Sequence, residues 1–130
     1  MFAAPLLAGL ILAQLPAGPP PVSLGFGEAL ARAERYESDA KAEAWRAAKL
    51  DPFLDGRMEP LFAKCEAGMT APVSFTLVIS FKAGRFDRIE SNDDGPVARC
   101  MADAFERFPY PAPPYPDFAE EVRMKLTGGR

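Results

Sequence analysis

The chain's 130 residues, 48% hydrophobic and 25% charged, suit one modest globular domain and exclude wholesale disorder. Fifteen Lys and Arg against eighteen Asp and Glu leave a net charge of -3, without the basic excess that a nucleic-acid protein needs to neutralise phosphates. There is no histidine, which removes the commonest general base, the commonest zinc ligand and every Ser-His or Cys-His nucleophile pair.

Residues 1–17 read as an export signal, because Leu6 to Leu15 is an almost unbroken apolar stretch that ends near small residues. The stretch is half the roughly 20 residues a bilayer-spanning helix needs, so a cleaved signal is expected rather than an anchor. No cysteine lies near the cut to carry a lipid. Residues 18–27, rich in Pro and Gly, read as a tether, and 28–130 as a single domain with its core at 54–126.

Glu28 to Lys49 is dominated by strong helix formers, with Leu30, Ala33, Tyr36, Ala40 and Trp45 roughly along one side. Pro52 and Asp55-Gly56 are expected to interrupt it. A second helix follows, in which Leu54, Met58, Leu61, Phe62, Cys65 and Met69 form an apolar stripe; Pro60 is expected in its first turn and Gly68 at its end. From Pro72 to Lys82 the period changes to two. Val73, Phe75, Leu77, Ile79 and Phe81 share one face, with Ser74, Thr76, Ser80 and Lys82 opposite.

Ala83-Gly84 then reverses the chain into Arg85 to Ser91, a hairpin whose polar face can remain in water. Asp94 is placed to cap a third helix, with Pro96 at its first position and Val97, Cys100, Met101, Ala104, Phe105 and Phe108 on its buried face. The prolines from Pro109 to Pro116, interleaved with Tyr110 and Tyr115, force an extended segment. Asp117 to Thr127 closes as a strand. The expected fold is α+β: a small three-stranded antiparallel sheet packed on one face by two or three helices, in the order α-α-β-β-α-β.

Cys65 and Cys100 lie on the apolar stripes of two helices packed on the same sheet, so in an exported protein a disulfide is expected between them. Two thiolates without histidine fall short of a closed zinc shell. Glu90, Asp93 and Asp94 are explained by a turn and a helix cap rather than by calcium or acid-base chemistry. No nucleophile and base pair, metal set or phosphate loop can be assembled, so neither an enzyme nor a cofactor is expected.

From Leu54 to Leu126 the chain resembles the C-terminal domain of the TonB family, in particular the cysteine-bearing variants of the gliding-motility AgmX type. The resemblance rests on Phe62-Ala63-Lys64-Cys65, on the strand Val73 to Phe81 with Ala83-Gly84-Arg85-Phe86 after it, and on Val97-Ala98-Arg99-Cys100 leading to Phe108-Pro109-Tyr110-Pro111. It implies a small sheet with helices on one side, a place in the periplasm of a Gram-negative bacterium, and partner binding by strand addition at a sheet edge. The expected edge is the closing strand from Glu120 to Lys125. Glu120, Val122 and Met124, with Tyr110 and Tyr115 of the Pro-rich segment, are the candidate partner-binding residues.

The expected function is therefore a non-catalytic binding or accessory module, periplasmic or secreted, that engages a protein partner in the cell envelope. Neither nucleic acid nor a small-molecule substrate is expected. The alternative is a small secreted inhibitor or immunity-type protein that binds an enzyme.

Overall fold

The computed structural model describes residues 25–128, so the expected export signal and most of the tether lie outside the described residues. Helix α1 (Phe26–Arg35) begins inside the expected tether and ends well before Lys49. After a break at Tyr36 to Asp39, the Asp39 carboxylate accepts the Ala42 N–H at 2.9 Å and caps a second helical run. That run is continuous through α2 (Ala40–Trp45), a π-helical segment (Arg46–Leu50) and α3 (Asp51–Cys65).

Pro52, expected as a breaker, lies within the first turn of α3. The turn before it is widened: the Asp51 N–H bonds to the carbonyl of Arg46. An α-helical turn would drive the proline ring into the preceding carbonyl, and the π geometry relieves that clash. Pro60, expected in a first turn, instead sits in the interior of α3 on the solvent side. Gly68, at φ 85°, reverses the chain just past the end of α3.

Strands β1 (Val73–Lys82) and β2 (Arg85–Ser91) are joined through Ala83 and Gly84, both at positive φ, as a two-residue hairpin turn requires. Helix α4 (Pro96–Glu106) starts on Pro96 as expected, but Gly95 holds its N-cap position. Asp93, not Asp94, supplies the local bond, accepting the Gly95 N–H at 3.0 Å. Strand β3 (Ala119–Leu126) completes an antiparallel sheet of order β2-β1-β3. The class is α+β, and with Ala40–Cys65 taken as one helical run the order is α-α-β-β-α-β.

Phe75, Leu77, Ile79 and Phe81 of β1 face the main core, where they meet Trp45, Leu50, Leu61, Met101 and Phe105. Val78 points the other way and packs with Ala29 and Ala33 of α1 and Ala119 of β3. The helices therefore lie on both faces of the sheet, not one. Alanines on α1 let its backbone approach closely and cover half of the face expected to be wet. Ser80 is consequently only 2% exposed, and its hydroxyl lacks a hydrogen-bond partner among the described residues.

The Cys65–Cys100 disulfide ties α3 to α4 with 5.6 Å between the Cα atoms. Its chain-entropy contribution is about 3–4 kcal/mol for a loop of this size. The Pro-rich segment between α4 and β3 is strapped down along its length. The Trp45 Nε1–H donates to the Ala112 carbonyl at 2.6 Å, the Tyr110 hydroxyl to the Phe105 carbonyl at 2.6 Å, and the Tyr115 hydroxyl to Asp39 at 2.8 Å.

Candidate functional site: the open edge of β3

Strand β3 pairs with β1 without a register shift, from Ala119 opposite Ser80 to Leu126 opposite Val73. Just before it, the Phe81 N–H donates to the Phe118 carbonyl at 2.8 Å, which marks that opposed pair as hydrogen-bonded. Hydrogen-bonded and non-bonded pairs alternate in an antiparallel ladder. The backbone groups of Glu120, Val122, Met124 and Leu126 therefore point at β1. Those of Ala119, Glu121, Arg123 and Lys125 point outward, and among the described residues no backbone group from another element meets them.

The side chains named from the sequence are largely occupied within the domain. Met124 is buried in the main core. Glu120 is buried and accepts from the Arg46 Nε–H at 2.7 Å, while an Arg46 Nη2–H donates to the Tyr36 carbonyl at 2.9 Å. Burial raises the Glu120 carboxyl above the ordinary carboxylate range, and Arg46 offsets this only in part. Val122 is half-buried, opposite Leu77.

Tyr110 stacks on Phe86 with ring centroids 5.3 Å apart, and burial raises its hydroxyl pKa. Tyr115 stacks on Tyr36 at 5.1 Å. Its hydrogen bond to Asp39 raises the phenol, while Asp39 is lowered chiefly by the Ala42 N–H and then by Tyr115. The structure thus brings Glu120, Val122 and Met124 together on one face of β3 and places both tyrosines in the strap. What β3 offers outward is its backbone.

Sequence reasoning missed Glu121, Arg123 and Arg46. Glu121 and Arg123 flank Val122 on the α1 side and form an ion pair at 2.8 Å. With Ala33, Glu37, Arg46 and Glu120 they line a recess of about 390 Å³ beside the edge. Period-two alternation was the available signal for the first two, since 121 and 123 must share a face. Arg46 had none, because its partner lies 74 residues away.

The opposite edge differs. The β1–β2 register shifts between Ser80 and Phe81, where Asp87 is the extra residue, and such a bulge twists an edge away from further pairing. Glu90 of β2 is buried beneath the start of α1, where a Cβ on Gly25 would come within 2.7 Å of its carboxylate.

Among the described residues no group of three or more His, Cys, Asp or Glu is placed to hold a metal ion, and no helix is long and apolar enough to cross a membrane. The disulfide fits an oxidising, extracytoplasmic compartment. No protein-family model, curated protein or solved structure matches the chain.

Proposed function

We propose that this protein is an exported, non-catalytic binding module of the bacterial periplasm that takes up an extended segment of an envelope protein as a fourth strand on β3. The observation that carries this reading is the regular run of outward backbone groups from Ala119 to Lys125. Main-chain hydrogen bonds supply affinity in such strand addition, and flanking side chains supply selection. The disulfide is in keeping with export, and the resemblance to TonB C-terminal domains adds the same mode of binding.

The test is in-cell crosslinking of the tagged full-length protein, with captured proteins identified by mass spectrometry. Arg123→Pro removes one outward N–H and leaves the β1 ladder intact, because that N–H faces away from β1. Capture of an envelope transport or motility component that Arg123→Pro abolishes is the expected result. Capture that survives the proline would overturn edge addition, and a tight complex with a soluble hydrolase would favour an inhibitor instead.

A further inference from the structure

Helix α1 leaves part of the second face of the sheet bare. It seats Ala29 and Ala33 against Val78 and Ala119, and the same face continues past it through Thr76 and Ser74 of β1 and Arg123 and Lys125 of β3. The ladder sets these four residues in two opposed pairs, Thr76 with Arg123 and Ser74 with Lys125, and no register shift disturbs them. Asn92, just past β2, adds a third side. Its Oδ1 accepts the Thr76 N–H at 2.8 Å and its own N–H donates to the Thr76 carbonyl at 3.2 Å, so the carboxamide is anchored to β1. These five polar side chains line a hollow of about 380 Å³ that no residue of α1 enters.

The chemistry of this hollow is one-sided. Lys125 carries three donors and has no ion-pair partner among the described residues. Arg123 gives its Nε–H to Glu121 at 2.8 Å, which leaves both terminal amino groups of its guanidinium unused. With its oxygen held by Thr76, Asn92 presents its NH2 group, and Ser74 and Thr76 add hydroxyls that can donate. No carboxylate lines the hollow, although the chain as a whole is acidic, at net charge -3. The recess at the other end of β3 is the opposite case, for there Glu37, Glu120 and Glu121 outnumber Arg46 and Arg123.

We propose that this hollow binds a phosphate group. The Lys125 ammonium and the Arg123 guanidinium match its charge, while Asn92, Ser74 and Thr76 donate to its oxygens. Donors carried by β1, by β3 and by the turn after β2 suit a tetrahedral oxyanion better than a carboxylate, whose two oxygens would leave several of them unmet. Their positions are set by the ladder and by the Asn92–Thr76 bonds, so the site stands before a ligand arrives. It uses the side chains of one face, whereas the proposed strand partner uses the outward backbone of the edge. The two proposals therefore stand or fall separately.

NMR of the isotope-labelled full chain tests the site, with inorganic phosphate titrated at about pH 7.5, where it is mainly the dianion. Sodium chloride of equal ionic strength is the control. Phosphate up to about 20 mM should shift the Asn92 side-chain amide and the backbone amides of Thr76 and Lys125 saturably, and chloride should not. Lys125→Gln should weaken binding at least about threefold. Asn92→Asp keeps the oxygen that holds Thr76 but replaces the donor by a carboxylate, and should abolish binding. Both positions are exposed, so neither variant threatens the fold. Phosphatidylglycerol vesicles form the second arm. Retention of wild type but not of Lys125→Gln makes a lipid headgroup the source, and binding of free phosphate without retention makes it a soluble phosphoryl compound. Equal shifts with phosphate and chloride would overturn the proposal, as would phosphate affinity unchanged in both variants. Acetate that binds as well as phosphate would overturn it in favour of a carboxylate ligand.

Discussion

The two edges of this sheet are built from the same central strand and treated in opposite ways. On the β2 side Asp87 bulges the strand, α4 packs against it, and the buried Glu90 is pressed under the start of α1. The disulfide pins α4 in turn to α3. On the β3 side the ladder is regular, and the contacts that hold it come through the faces: Met124 and Leu126 in the main core, Ala119 beneath α1, and Glu120 on Arg46. Edge strands are a hazard that proteins blunt with bulges and charges. Here the bulge is spent on β2, while β3 carries only the charges Glu121, Arg123 and Lys125, which discourage indiscriminate pairing and still admit a complementary strand.

The largest expected effect breaks the closed side. Replacing both cysteines, Cys65→Ser with Cys100→Ser, should cost about 3–4 kcal/mol in denaturant unfolding, because α3 and α4 are no longer tied. Nearly as large is Val122→Pro. Its N–H points at β1, so the ring removes a ladder bond in the middle of β3 and leaves the facing carbonyl unpaired, which should cost about 1–3 kcal/mol. Arg123→Pro, one residue away, should cost far less, on the order of 0.5 kcal/mol, since only an outward N–H is lost. The contrast between neighbouring prolines tests the strand's polarity directly.

Glu120→Ala comes next, at about 2 kcal/mol, because Arg46 is left partly buried without its counter-charge. The pH dependence has a definite sign. A carboxyl whose pKa is raised by folding keeps its proton longer in the folded than in the unfolded chain. Its contribution is therefore greatest below the ordinary value of 4.5 and is lost as pH rises through the raised one. Stability of Glu120→Gln should lack that decline. Asp39 works in the other direction: lowered by the Ala42 N–H and Tyr115, it stabilises above the ordinary carboxylate range, and that contribution fades as pH falls through the lowered value. The smallest effect is a gain. Ser80→Ala removes a buried hydroxyl that has no partner and should raise stability by about 1 kcal/mol, read from the shift in denaturation midpoint.

These contrasts also show what the sequence could and could not say. The alternation from Val73 to Phe81 announced β1, and the stripes carrying Cys65 and Cys100 announced the bridge, because both signals are local and apolar. Helix α1 was harder to place. Its buried residues are Ala29 and Ala33, too small to stand out as a core stripe, so its seat on the second face of the sheet went unread. Pro52 looked like a stop because proline breaks an α-helix, and nothing local told of a π turn that would admit it. Glu120 looked exposed because its pairing with Arg46 is set by tertiary contact. For the edge, the closing strand itself was legible, but which of its residues turn their backbone outward depends on the ladder's phase, and that is fixed only by the pairing with β1.

The most direct measurement of the open edge is residue-resolved amide hydrogen exchange along β3 in a dilute sample. An edge free of partners predicts alternation, with slow exchange at Glu120, Val122 and Met124 and fast exchange at Glu121, Arg123 and Lys125. Uniform protection from Glu120 to Lys125 at that dilution would mean that the outer edge is already covered within one chain, and would contradict the strand-adding module.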